Sequence, residues 1–158
     1  MDTKGKKIIL GSNSPRRREL LAGLDIEFTV DTGNNFEETY DSSTPHEMIP
    51  EVLSKGKSEG FHRPLERDEI LITSDTLVLC GDKVMGKPHS REEAFEMLKL
   101  LSGREHKVIT AVTVRDFNRT STTSDTAIVH FKELSDSEIN YYIDTFKPYD
   151  KAGAYGIQ

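Results

Sequence analysis

The chain has 158 residues, of which 30% are charged and 35% hydrophobic, with a formal net charge of −6. That length supports one domain with a real core, or two small lobes sharing one sheet, and the acidic balance argues against a nucleic-acid binder. The single cysteine, Cys80, excludes an internal disulfide and fits a reducing compartment, while no apolar run approaches the length of a membrane helix.

Lys7 to Gly11 is expected to form a short strand, followed at once by Ser12-Asn13-Ser14-Pro15. Ser14 suits a helix N-cap and Pro15 the first helical position. A helix is expected from Arg16 to about Ala22, with Leu20, Leu21 and Leu24 facing inward and Gly23 as its stop. Arg16, Arg17 and Arg18 then occupy the first turn, the unfavourable end of the helix dipole for cations. An anion docked there reverses the sign, because dipole and guanidinium both attract it. Strand, serine-rich turn and basic helix start together suggest a phosphate site; the plainer reading is a solvated basic turn, with Arg18 the most suited to solvent.

Ile26, Phe28 and Val30 alternate with polar residues as in a half-buried strand. Residues 31–44 lack any period and read as a loop carrying Glu37 and Glu38, either of which is a surface charge or a cation ligand. Thr44-Pro45-His46-Glu47 has the form of a capping box ahead of Ile49, Val52 and Leu53, although Pro50 and Gly56 predict a helix that is kinked or starts late. Lys55 and Lys57 follow on its surface.

Leu71-Ile72-Thr73-Ser74-Asp75-Thr76-Leu77-Val78-Leu79 reads as a buried strand interrupted by polar residues. A carboxylate set into such a strand is costly unless it is paired, hydrogen-bonded or cation-bound. Asp75 is either held by neighbouring threonine hydroxyls or matched by a partner from elsewhere in the chain. Gly81-Asp82 fits a hairpin turn. Gly81 to Lys87 imitates a P-loop, but Pro88 stands where the hydroxyl residue is required and no helix opens there, so that reading fails. Lys87 can still offer a phosphate a single charge.

Ser90-Arg91-Glu92-Glu93 is a second capping box, opening an amphipathic helix through Ala94, Met97, Leu98 and Leu101 that Gly103 ends. Residues 107–116 and 122–131 are expected as a hairpin, and Ser135-Asp136-Ser137-Glu138 as the cap of a last helix to about Phe146. The five histidines show no metal-ligand spacing, and Cys80 suits a core thiol.

Gly11-Ser12-Asn13-Ser14-Pro15-Arg16-Arg17, Ser74-Asp75-Thr76, Gly86-Lys87-Pro88, Leu101-Ser102-Gly103 and Asp150-Lys151-Ala152-Gly153-Ala154-Tyr155-Gly156-Ile157-Gln158 together resemble the Maf-like nucleoside triphosphate pyrophosphatases, in order and over nearly the whole chain. The resemblance implies a single α/β domain over residues 1–158, similar to inosine triphosphatases: a mixed elongated β-sheet flanked by helices, in two lobes with a central cleft. It implies hydrolysis of a nucleoside triphosphate to the monophosphate and pyrophosphate, with Mg²⁺ or Mn²⁺ as cofactor. The Asp75-Thr76 pair and the C-terminal signature look like the branch acting on dTTP and UTP.

By position, Asp75 matches the family's proton acceptor, and Glu38 with Asp75 the metal ligands. Ser12, Ser14, Arg16, Arg17, Lys57, Thr76, Lys87 and Gln158 match substrate-binding and specificity positions. The lone cysteine and an apolar run after the N-terminus too short for a signal suggest a cytoplasmic protein, and the acidic charge and lack of a membrane-length run suggest no nucleic-acid or membrane partner. The resemblance implies a homodimer as one assembly. A nucleotide-binding regulator of septum formation without turnover is the alternative reading. Family members continue past Gly-Ile-Gln with a strand and helix, so the chain is expected to be C-terminally shortened, with a sheet edge or core face left open.

Overall fold

The structure, a computed structural model, describes residues 1–156. In chain order the elements are β1 (Lys7–Leu10), α1 (Pro15–Ala22), β2 (Phe28–Val30), a 3₁₀ turn (His46–Met48), α2 (Ile49–Glu59), β3 (Glu69–Cys80), β4 (Lys83–Met85), α3 (Arg91–Leu101), β5 (Glu105–Arg115), β6 (Thr120–His130), α4 (Asp136–Phe146) and a 3₁₀ turn (Ala152–Ala154). Among the described residues the strands form one mixed sheet in the order β2-β1-β3-β5-β6, with β4 pairing with β3 off this path. Strands β1 and β2 run parallel, as do β1 and β3, so β1 needs the long crossovers that carry α1 and α2. The expected mixed α/β class is what is found. No helix of the described residues is long and apolar enough to cross a membrane.

The chain divides into two compact units. The first holds Met1–Asp75 and Thr110–Ser124; the second holds Thr76–Ile109 and the residues from Asp125 onward. The first unit is centred on Ile9, Phe61, Leu65 and Leu71, all buried. Its α2 buries Ile49 and Leu53 and is also fastened by hydroxyls. The Ser54 hydroxyl meets Thr113 Oγ1 at 2.8 Å, Thr73 Oγ1 donates to the Ser54 carbonyl at 2.9 Å, and Thr113 meets Thr122 at 2.9 Å. Arg115 donates to Ser58 Oγ and to its carbonyl at 3.0 and 2.7 Å. Each buried hydroxyl thus has a partner, the condition on which burying it is tolerable.

In the second unit α3 and α4 pack through Ala94, Leu98, Ile139 and Ile143, with Ala154 against them. The Ser135–Glu138 capping box forms in full. At α3 only half of it does: Ser90 Oγ accepts from the Glu93 N–H, but the Glu93 carboxylate accepts from the His89 N–H instead of closing on Ser90. The Gly81-Asp82 turn joins β3 to β4 antiparallel, with Cys80 opposite Lys83. The expected hairpin of β5 and β6 turns on Asp116, whose carboxylate accepts from the Asn118 and Arg119 N–H groups.

The C-terminal motif is anchored to this second unit. The Gly153 N–H donates to the Gly86 carbonyl at 3.1 Å, joining the Ala-Gly-Ala and Gly-Lys-Pro signatures, and the Tyr155 hydroxyl lies 2.6 Å from His106 Nε2. Gly153 has φ +72°, and a Cβ there would lie 3.1 Å from Val78 Cγ1. Gly153→Ala is therefore expected to destabilise the protein by about 1–2 kcal/mol from the left-handed backbone alone. A fall in the urea midpoint at unchanged slope checks this; an unchanged midpoint counts against it.

Three local expectations are corrected. Leu20 and Leu24 do not face inward but are 75% and 47% exposed, and α1 buries no residue. It is seated by its cap and by Arg17, so an eight-residue helix needs no apolar stripe. The Thr44–Glu47 capping box does not form: a 3₁₀ turn with no side-chain cap precedes α2, which starts late with Pro50 in its first turn. Val30, expected on the covered face of a half-buried strand, is exposed.

Candidate active site

The site is assembled within the first unit, from α1, α2, the middle of β3 and the loop after β2. Ser14 caps α1 as expected, its hydroxyl accepting from the Arg17 N–H at 3.4 Å, and Ser12 Oγ accepts from the Ser14 N–H at 3.2 Å. Ser12 is buried. Arg17 turns inward and donates from Nη1 to the Ser74 carbonyl at 3.0 Å and to Ser12 Oγ at 3.3 Å. Burial holds its pKa below the usual arginine value, opposed by the negative charge of Asp75. Arg16 is exposed in the same turn, and Arg18 donates to Asn13 Oδ1 at 3.4 Å. A basic helix start is thus present, with one arginine tied to the residue that precedes Asp75.

Asp75 lies in β3 with its side chain 13% exposed. Its partner is Lys57 of α2, whose Nζ donates to Asp75 Oδ1 at 2.8 Å and also lies 3.1 Å from Glu38 Oε1. The lysine side chain is 17% exposed, that of Glu38 62%. Of the two loop glutamates, it is Glu38 and not Glu37 that reaches the cluster. Burial pushes the Asp75 carboxyl above its ordinary range; the Lys57 hydrogen bond and the charges of Lys57 and Arg17 pull the other way, and Glu38 adds to the rise. A carboxylate whose pKa is raised, with a cation at contact distance, is suited to the role of general base.

Two carboxylate oxygens therefore converge on one cationic point. Among the described residues no group of three His, Cys, Asp or Glu side chains stands ready to hold a metal ion. The two carboxylates are held on the Lys57 ammonium, at 2.8 Å from Asp75 and 3.1 Å from Glu38.

Ser12, Ser14, Arg17, Lys57, Glu38 and Asp75 are thus brought together. Thr76 and Lys87 belong to the second unit, where Thr76 is half-buried and Lys87 exposed in the loop after β4. Gln158 lies outside the described residues. The sequence reading missed the residues that set the loop carrying Glu38: Asn34, which donates from Nδ2 to the Lys57 carbonyl at 2.6 Å, and Phe36, whose ring lies against Gly56. The available signal was the pair of glycines one turn apart, Gly56 in α2 and Gly60 at its C-cap.

Fold and site together define a mixed α/β protein in which a basic helix start stands beside an acid–lysine cluster. A sequence model of the family described as Maf-like protein matches residues 7–158, and the chain belongs to that family. It is 48% identical over 155 residues to a dTTP/UTP pyrophosphatase of Parabacteroides distasonis, covering 98% of this chain and 80% of that protein. It is 47% identical to one of Phocaeicola vulgatus, covering 96% of this chain and 79% of that one. A dTTP/UTP pyrophosphatase of Porphyromonas gingivalis is 44% identical, with 98% and 79% covered. Among solved structures the chain is similar to a HAM1 protein from Coxiella burnetii, at a TM-score of 0.47 and 13% identity over 79% of this chain and 72% of that one.

Proposed function

We propose that this chain is a nucleoside triphosphate pyrophosphatase that hydrolyses dTTP and UTP to the monophosphate and pyrophosphate. The observation that carries this reading is the meeting of Lys57 with Asp75 and Glu38, one residue along β3 from the carbonyl that Arg17 holds. The names of relatives 44–48% identical over nearly the whole chain support it.

In the reaction, water attacks the α-phosphorus, the α–β bridging P–O bond breaks, and the electron pair leaves with pyrophosphate. The attacking water gives its proton to an Asp75 carboxylate oxygen. Negative charge grows on the phosphate oxygens, and fixed cations placed against it are the main catalytic resource. Arg17, Arg16 and the helix start hold the triphosphate. Lys57 favours the ionised form of Asp75 against its burial and offers a cation to the charge that accumulates. Glu38 and Asp75 are the residues that would hold Mg²⁺ or Mn²⁺. When bound, such an ion lowers the pKa of its water and neutralises phosphate charge.

A panel of canonical ribo- and deoxyribonucleoside triphosphates, incubated with Mn²⁺ or Mg²⁺ and scored for pyrophosphate, tests the reading. Release should be fastest from dTTP and UTP, with one pyrophosphate and one monophosphate per turnover. Release of orthophosphate instead, or no release from any triphosphate, overturns it.

A further inference from the structure

The loop that carries Glu38 is held by a feature no catalytic residue explains. Gly56 lies inside α2 and is buried. A Cβ built on it would lie 2.2 Å from Phe36 Cζ, 2.4 Å from Cε2 and 2.6 Å from Cε1. One turn on, a Cβ on Gly60 would meet Phe36 Cβ at 2.6 Å and Asn34 Oδ1 at 2.7 Å. No real Cβ approaches atoms so closely, so only glycines leave the groove into which the Phe36 ring fits.

Polar contacts fix the same segment from both sides. Asn34 Oδ1 accepts from the Phe36 N–H at 2.8 Å, and the Asn35 N–H donates to the Gly60 carbonyl at 2.8 Å. Asn34 pairs with Phe61 as an isolated bridge, and His62 Nε2 meets Asp31 Oδ2 at 2.8 Å. From Asp31 to Phe36 the loop is seated on the end of α2 and the residues after it. Two residues on, unsupported by any burial of its own, Glu38 reaches Lys57. Lys57 itself follows Gly56 directly on α2. The helix residue that accepts the ring is thus covalent neighbour to the lysine that meets the glutamate.

We infer that Phe36 and the Gly56/Gly60 groove form a positioning device that places the Glu38 carboxylate against the Lys57–Asp75 pair. The Phe36 ring carries no group for the chemistry; it acts through Glu38. The inference rests on the pyrophosphatase reading for its consequence, and on geometry alone for the docking.

The experiment compares the parent chain with Phe36→Ala, Gly56→Ala, Glu38→Gln, the Phe36→Ala/Glu38→Gln double variant and the Gly56→Ala/Phe36→Leu size swap. Pyrophosphate release from dTTP with Mn²⁺ is measured together with amide hydrogen exchange at residues 34–38 in the absence of nucleotide and metal. Misplacing a group by about 1 Å can cost about a hundredfold, so Phe36→Ala and Gly56→Ala should each lower kcat/KM by about tenfold to a hundredfold, mostly in kcat. Exchange at 34–38 should rise in both. Glu38→Gln should cost as much, and the double variant little more, because a displaced glutamate has nothing further to lose. The shorter side chain of the size swap should restore both readouts part of the way.

Fully multiplicative losses in the double variant, or kcat/KM within about twofold of the parent despite faster exchange, would overturn the inference. Phe36→Ala removes atoms rather than adding them and so stands if Gly56→Ala fails to fold. A parent chain inert toward every triphosphate would fail the pyrophosphatase reading and not the docking. Exchange at 34–38 would then decide the docking, and an unchanged rate in both Phe36→Ala and Gly56→Ala would sink it.

Discussion

Asp75→Asn is expected to lower turnover of dTTP and UTP by about a hundredfold to ten-thousandfold, the range typical of a lost general base. The amide keeps the shape and a hydrogen-bond acceptor for Lys57 but cannot take a proton or carry charge. The fold should survive, because two effects of the change oppose each other. Burial raises the Asp75 carboxyl above its ordinary value. A group raised in the folded state contributes stability that is complete below the unfolded pKa and lost as pH rises through the folded one. At neutral pH the ionised Asp75 is therefore a cost that the amide removes, while the charge-assisted bond from Lys57 at 2.8 Å is weakened. The melting temperature should stay within about 4 °C of the parent, the shift that about 1 kcal/mol produces at this size. The pH profile supplies an independent check. In the parent, kcat/KM should fall on the acid side at a pH above the ordinary aspartate range, since the essential carboxylate is the raised one. Undiminished turnover in the asparagine variant would remove Asp75 from the role of base.

Much of the fold was legible because it is locally encoded. Strand β1, the Ser14 cap, the Gly81-Asp82 hairpin and the Ser135–Glu138 box depend on a few adjacent residues whose chemistry has one good use. The sequence also showed that Asp75 needed a partner, since an apolar strand cannot satisfy a carboxylate. Periodicity could not name that partner. Lys57 lies 18 residues away and Glu38 further still, and only the connection from β2 to β3 brings α2 to the polar break in the strand. The errors have the same origin. Leu20 and Leu24 look like a core face when only helical spacing is considered, yet α1 is held by the Arg17 contacts to Ser74 and Ser12, which a hydrophobic pattern cannot express. Gly56 read as a helix weakener, with an interior cost of about 1 kcal/mol relative to alanine. Its use becomes visible only when Phe36 is placed against it. Ser54 and Ser58 likewise look like poor helix choices until their hydroxyls meet Thr113 and Arg115.

Lys57→Met should have the other large effect, and its signature differs from that of Asp75→Asn. Methionine keeps the length and the helix propensity while deleting the charge. Asp75 and Glu38 then face each other with no ammonium between them. The hydrogen bond and charge of Lys57 are the leading influences that hold the Asp75 pKa down against burial, so its carboxyl should rise further. Turnover at neutral pH should fall by about a hundredfold or more, because charge building on the phosphate loses a fixed cation. The residual activity should carry its acid limb at a higher pH than the parent's. Stability should move in the same sense: the variant should be least stable at neutral and alkaline pH, and recover as acidification through the raised pKa neutralises Asp75. Breaking a well-buried ion pair costs about 3–5 kcal/mol, and the loss here should fall short of that because Glu38 remains largely in solvent. Raising Mn²⁺ should restore part of both stability and turnover if the two carboxylates accept a divalent cation in place of the ammonium. An acid limb that stays where the parent has it would show that Lys57 does not govern the ionisation of Asp75, and an instability that deepens on acidification would show that the carboxylate pair is not its cause.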